Sequence, residues 1–209
     1  MKNFTIKDSV TGKRFWISRS IAVSCVIAAF KPGGELYFLM EKRGPGCPDN
    51  VGKYVFPCGY VDFSETLKGA CTREVYEETG LKINKKDIHF VGINDGPTEN
   101  RQNITIRYVT IQDFWDLSKK LASGEINGNS ESRGGEKGEI AELSLKSYSW
   151  VKDHRNECAF DHDKLADMFY QNVDKIRTDQ FYWDGNTDYL KNDESEDPDK
   201  LFKDVNLGF

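Results

Sequence analysis

An α/β fold is predicted by three observations. Segments rich in β-branched and aromatic residues crowd the first sixty positions, two long segments carry apolar residues at helical spacing, and further strand-like segments lie between those two. With 209 residues, 38% hydrophobic and 12% aromatic, the chain can bury a core. That length suits one domain with an appendage, divided as a domain over 1–177 and an acidic tail over 178–209.

FTIKD (4–8) and RFWIS (14–18) predict strands around the turn-forming DSVTGK, and SIAVSCVIAAF (20–30) predicts a third. Pro32, Gly33 and Gly34 break the chain before ELYFLMEK (35–42), so the two longest apolar stretches form a hairpin. A loop dense in Gly and Pro follows (43–53), then the short strand YVFP (54–57). Ser64 is the expected start signal for a helix over ETLKGACTREVYEET (65–79), with Gly80 ending it. IHFVGI (88–93) and NITIRYVTIQDF (103–114) predict strands separated by the turn NDGP. Residues 124–138, GEINGNSESRGGEKG, form a polar loop long enough to be functional or mobile. EIAELSLKSYSWV (139–151) returns to the core, and FDHDKLADMFYQNVDKI (160–176) predicts the second long helix.

Composition narrows the function classes. The net charge of −5 is unevenly placed: from Asp179 to Phe209 nine acidic residues face three lysines, leaving the rest of the chain at +1. A near-neutral body without a basic stripe gives no indication of nucleic-acid binding. The longest apolar run, around residues 21–30, is too short to span a bilayer and no signal-peptide pattern precedes it, so no membrane association is expected. Five cysteines, odd in number and without CxxC spacing, predict reduced thiols and a cytoplasmic location. The three histidines do not cluster with them at zinc-ligand spacing. The tail segment NDESEDPDK (192–200) has the composition of a solvated terminus.

The chemistry is concentrated in Gly59 to Leu81, GYVDFSETLKGACTREVYEETGL, which gathers Glu74, Glu77 and Glu78 within five residues. At about 100° per residue, Glu78 lies about 40° and Glu77 about 60° from Glu74, while Leu67, Ala70 and Cys71 fall within about 60° of the same direction. The carboxylates therefore continue the apolar stripe instead of opposing it, which turns them inward. Like charges four residues apart repel. A bound divalent cation with hard oxygen ligands, Mg²⁺ or Mn²⁺, would compensate for them; a purely structural acidic helix is the other reading.

This segment resembles the Nudix box, Gly-x5-Glu-x7-Arg-Glu-U-x-Glu-Glu-x-Gly-U with U a bulky aliphatic residue. Every fixed position is present, at Gly59, Glu65, Arg73, Glu74, Val75, Glu77, Glu78, Gly80 and Leu81. The flanking Lys42-Arg43-Gly44, Phe56-Pro57-Cys58-Gly59 and Ser149-Trp150-Val151 are also similar to the family, although Cys58 stands where members usually carry a second glycine. The resemblance implies an α/β/α sandwich with a mixed β-sheet between helices, and a hydrolase that uses Mg²⁺ or Mn²⁺ to cleave a diphosphate linkage in a nucleoside diphosphate joined to another group. Carried over by position, Glu74, Glu77 and Glu78 are the catalytic metal ligands, with Gly59 offering its carbonyl. Arg73 and Glu65 support the site structurally through an ion pair.

Members often add a loop acid from outside the box, and Glu136 and Glu139, nearest the returning strand, are the choices here over Glu125 and Glu131. Arg43 is a candidate for a substrate phosphate. Tyr60, Tyr76, Trp115 and Trp150 invite assignment to a nucleobase, but aromatic side chains of this kind mostly form core. Pro97, sixteen residues beyond Leu81, places ADP-ribose-like substrates ahead of nucleoside triphosphates and nucleotide sugars. No NADH-pyrophosphatase or coenzyme A signature is visible. The expected partner is a small nucleotide derivative, with a homodimer through the N-terminal strands as a further expectation. Two other readings remain open: a non-hydrolytic sensor of nucleotide derivatives, and a protein-binding module whose acidic helix is only structural.

Overall fold

A computed structural model describes residues 4–96, 103–178 and 181 of the chain. Pro97 and nearly all of the acidic tail lie outside the described residues. Strands β1 (Phe4–Lys7) and β2 (Arg14–Ile17) pair antiparallel as a separate two-stranded sheet, with Thr5 opposite Trp16. Asp8 closes the hairpin, its Oδ1 accepting from the backbone N–H of Val10 at 2.7 Å and of Thr11 at 3.0 Å.

The main sheet contains β3 (Ser20–Phe30), β4 (Leu36–Arg43), β5 (Tyr54–Val55), β6 (Cys58–Tyr60), β7 (His89–Asn94), β8 (Asn103–Asp113) and β9 (Ile140–Ser147). Its order is β5-β4-β3-β8-β7, with β6 beside β3 and β9 beside β4. β3 and β8 run parallel over the full length of both strands, Ser20 opposite Asn103 through Phe30 opposite Asp113, and the other pairings are antiparallel. This is the expected mixed sheet. Continuous burial from Ala22 to Ala29 in β3 fits a strand covered on both faces.

The helices provide that cover: α1 (Leu67–Thr79), α2 (Phe114–Ser123), α3 (Tyr148–Asp153) and α4 (His162–Arg177). Because side chains alternate along a strand, β3 supplies two cores at once. Val23, Cys25, Ile27 and Ala29 join Leu39 with Ala70, Cys71 and Val75 of α1 and Phe114 and Leu117 of α2. Val26 and Ala28 join Phe38 and Met40 with Val151 of α3 and Leu165 and Phe169 of α4. The result is the predicted α/β/α sandwich. Among the described residues, no helix is long and apolar enough to cross a membrane.

Three local expectations are corrected. Thr66, not Ser64, caps α1: its Oγ1 accepts from Gly69 N–H at 3.1 Å, and the helix starts two residues later than the first serine suggested. Leu67, placed on the inward stripe, is 37% exposed because the first turn of α1 overhangs the sheet-facing core that begins at Ala70. Residues 114–123 form α2, where no helix was expected. Asp113 caps it by accepting from Asp116 N–H at 2.7 Å, and Gly124 ends it in the left-handed conformation at φ 75°.

Phe38 anchors the second core, meeting Phe56 at 5.5 Å, Phe169 at 5.9 Å and Tyr148 at 6.3 Å between ring centroids, all edge to face. Phe38→Ala is expected to cost about 3–5 kcal/mol. A urea midpoint within error of the unmodified protein would show that this cluster closes over the gap.

Candidate functional site

The site is built around α1. At its C-terminus Gly80 adopts φ 79° and its N–H reaches Tyr76 O at 2.8 Å, which suits a residue without Cβ. The polar loop meets the terminal carbonyls: Asn127 N–H donates to Thr79 O at 2.9 Å, and one side chain serves the three before it. Arg133 donates from Nε to Tyr76 O at 2.9 Å and Glu77 O at 3.1 Å, and from Nη2 to Glu78 O at 3.3 Å. It also binds Asn127 O at 2.7 Å, so residues 124–138 are fastened to the helix that carries the acids.

Arg73 joins the helix to the segment before it. Its guanidinium forks onto Glu65, Nη2 to Oε1 at 2.6 Å and Nε to Oε2 at 3.2 Å, and Nη2 reaches Tyr60 O at 2.8 Å. Nη1 meets Glu74 Oε1 at 2.8 Å and Glu77 Oε2 at 3.0 Å. The ion pair expected between Arg73 and Glu65 is present, and the same cation also holds two of the three candidate ligands.

Glu78 is buried, and its Oε2 accepts the Cys58 backbone N–H at 2.8 Å. A Cβ on Gly59 would overlap the Glu74 carboxylate, so a larger residue there would displace that side chain; the glycine provides space and not a positive φ. Cys58, at the departure from the family pattern, keeps its thiol protonated: burial and the neighbouring Glu78, Glu41 and Glu74 push it well above the ordinary thiol range. The donors available at the site are therefore oxygens.

Glu139 is half-buried and close enough to Glu77 for that charge to help raise its carboxyl, after burial as the main cause. Its placement comes from backbone contacts: Gly44 N–H donates to Glu139 O at 2.6 Å and Gly46 N–H to Gly138 O at 2.9 Å. A Cβ at Gly44 or Gly46 would overlap the carbonyl of Gly138 or Lys137. Glu136 is exposed and only its backbone N–H reaches Glu139 Oε2, at 3.3 Å. Of the two loop acids, Glu139 lies against the cluster and Glu136 at its rim.

Arg43 does not stand open toward an incoming phosphate. Nη2 pairs with Asp49 Oδ1 at 3.0 Å, Nε donates to Asp49 O at 3.1 Å, and the guanidinium lies 5.0 Å from the Phe160 ring centre. Of the four aromatics, Trp150 is packed, stacked on His154 at 4.4 Å and edge-on to Tyr54 at 5.0 Å. Tyr60, Tyr76 and Trp115 are exposed, so the expectation that most were core fails for them, since each projects from the outer side of its element.

Sequence reasoning missed Glu41. It is 1% exposed on β4, with Glu139 and Glu74 as acidic neighbours and a side-chain hydrogen bond shared with the Glu78 carboxyl, and its Oε2 meets no donor. Alternation could have found it, because Glu41 shares a strand face with Leu39, which packs toward α1.

A hard divalent cation fits this donor set chemically: several buried carboxylates, a protonated thiol and one carboxylate oxygen without a partner. Among the described residues, no three His, Cys, Asp or Glu side chains already stand in ligand geometry. Arg73 holds one oxygen each of Glu74 and Glu77, which leaves the second oxygen of each carboxylate for a cation.

Burial lifts Glu74 from 4.5 to about 7, against the opposing pull of Arg73. Between those values the folded, metal-free protein holds a proton that the unfolded chain releases. This group's contribution to stability therefore falls as pH rises through the window. With EDTA present, Glu74→Gln is expected to gain stability relative to the unmodified protein between pH 5 and pH 8. Urea midpoints that shift in parallel across that range would refute the assignment.

Comparison with known proteins agrees with this geometry. The NUDIX domain model matches residues 18–163. An ADP-ribose pyrophosphatase of Methanocaldococcus jannaschii is 24% identical over 78% of this chain and 80% of that protein. An NAD-capped RNA hydrolase NudC of Actinobacillus succinogenes is 28% identical over 52% of this chain, and the match spans only 40% of that relative's length. Among solved structures, a mutT/nudix family protein from Listeria innocua superposes with a TM-score of 0.56 at 22% identity, over 77% of this chain and 98% of that one. With its box complete, its helix acids gathered at the end of a mixed sheet and a family match across most of its length, the chain belongs to the NUDIX domain family.

Proposed function

We propose that the protein is a metal-dependent Nudix hydrolase that cleaves a diphosphate linkage in a nucleoside diphosphate joined to another group, with ADP-ribose-like compounds as leading substrates. The observation that carries this reading is the burial of Glu74 and Glu78 beside Glu41 and Glu139, an excess of negative charge that a structural helix does not require. The similarity to the ADP-ribose pyrophosphatase, which extends over most of both chains, supports the substrate class.

Glu74, Glu77, Glu78 and Glu139 would hold Mg²⁺ or Mn²⁺, with the Gly59 carbonyl beside them. The bound cation would neutralise phosphate oxygens and polarise the attacking water. In the reaction, the oxygen of water bonds to one phosphorus and the P–O bond to the bridging oxygen breaks, so that oxygen departs with the second phosphate. Glu139 is assigned as acceptor of the water's proton. It sits at the mouth of the cluster, and its carboxylate is not engaged by Arg73. Arg73 and Glu65 keep the segment 59–65 against the helix, and Arg43 is assigned to the loop through Asp49 and not to substrate.

The test is a panel of ADP-ribose, NADH, nucleoside di- and triphosphates and nucleotide sugars with Mg²⁺ or Mn²⁺, following released nucleotide and phosphate. Cleavage of one class is expected, with kcat lowered at least about a hundredfold in Glu78→Gln. If nothing is cleaved, the hydrolase reading fails, and tight nucleotide binding without products would favour the sensor.

A further inference from the structure

The last buried turn of β4 contains an acid that the box does not account for. Leu39 and Met40 are fully buried, and Glu41, next in the strand, is 1% exposed. Glu41 is fixed from both sides, paired with Val55 of β5 and Leu143 of β9. A structural carboxylate in such a position ordinarily finds donors for both oxygens. Here Oε2 finds no donor, and the side chain with which Glu41 shares a hydrogen bond is itself a carboxyl, Glu78. The charges that act on it among the described residues are Glu139, Glu74 and Glu78, opposed by Arg43, and that guanidinium is already paired with Asp49. An orphaned carboxylate oxygen, out of reach of water and facing three other carboxylates, is what a cation-binding site looks like from the protein side.

We propose that Glu41 is a further carboxylate ligand of the divalent-cation site, contributed by the central sheet and lying outside the box; this rests on the metal-dependent reading above. The sheet position gives it a distinct part in the site. Glu74 and Glu77 each keep one oxygen on Arg73, and Glu139 belongs to a loop, whereas Glu41 is held by strands on either side and its hydrogen-bonding neighbour, Glu78, is itself assigned to the same site. Glu41 is the fixed floor against which the other carboxylates close.

The experiment is Mn²⁺ titration of the full chain by isothermal calorimetry, for the unmodified protein, Glu41→Gln and, as an exposed acid outside the cluster, Asp153→Asn. Glu41→Gln keeps the shape and removes the charge. It is expected to weaken the Mn²⁺ Kd at least about tenfold, with a smaller Mn²⁺-induced rise in Tm, while Asp153→Asn leaves both unchanged. Should Glu41→Gln fail to fold, Glu41→Asp retains the charge but draws it back by one methylene, and the same loss of affinity is expected. An unchanged Kd in a folded variant would make Glu41 a buried structural acid and overturn the assignment, leaving the hydrolase reading intact. If the unmodified protein binds no Mn²⁺, the metal-dependent reading falls and this inference with it.

Discussion

The site depends on one guanidinium placed among carboxylates. Arg73 reaches back to Glu65 and the Tyr60 carbonyl and sideways to Glu74 and Glu77, so a single cation sets the distance between the segment 59–65 and α1. Its planar fork matters, because a lysine ammonium could not direct paired donors to Glu65 while also serving Glu74 and Glu77. The close packing of Gly59 against Glu74 follows from that clamp. The protonation behaviour of Glu74 runs against the clamp, because burial outweighs the cation's pull.

A second layer of order comes from outside the helix. Backbone contact between Gly44–Gly46 and residues 137–139 brings the loop after β4 and the loop before β9 together, and this sets where Glu139 lies. Toward the other end of residues 124–138, Asn127 N–H meets Thr79 O, and from within the loop Arg133 meets the carbonyls of Tyr76, Glu77 and Glu78. The long polar loop is thus tied at both ends to the elements bearing the acids.

What was legible in the sequence was what repeats with a short period. The rotation of an α-helix is enough to show that Glu74 and Glu78 turn inward, and the break at Pro32-Gly33-Gly34 between two apolar runs is enough to place β3 and β4 in a hairpin. Glu41 escaped because LYFLM is apolar on both strand faces and draws no attention to the acid that follows; only its two-residue offset from Leu39 places it toward α1. Helix α2 escaped because Phe114 and Trp115 follow a β-branched strand without a Gly or Pro break, and only Asp113 signals the change. Thr66 and Ser64 are equivalent as capping residues in sequence; the intervening Glu65 is drawn to Arg73, and this tertiary contact leaves the cap to Thr66. Arg43 meets Asp49 on a loop, and Arg133, itself on a loop, meets the end of α1; no local pattern encodes either approach.

The parallel pairing of β3 with β8 bears on how the site comes into being. These strands lie about eighty residues apart in the chain, and the whole box is contained in the loop they close. Closing so long a loop costs entropy before any contact repays it, so the central pairing is expected to be a slow step in folding. Until it forms, α1 is a thirteen-residue helix with an acidic end, too short to hold itself together in water. The mutual repulsion of the carboxylates is then imposed late, on a chain whose sheet is already in place, and the box acquires its chemistry only as a property of the finished fold.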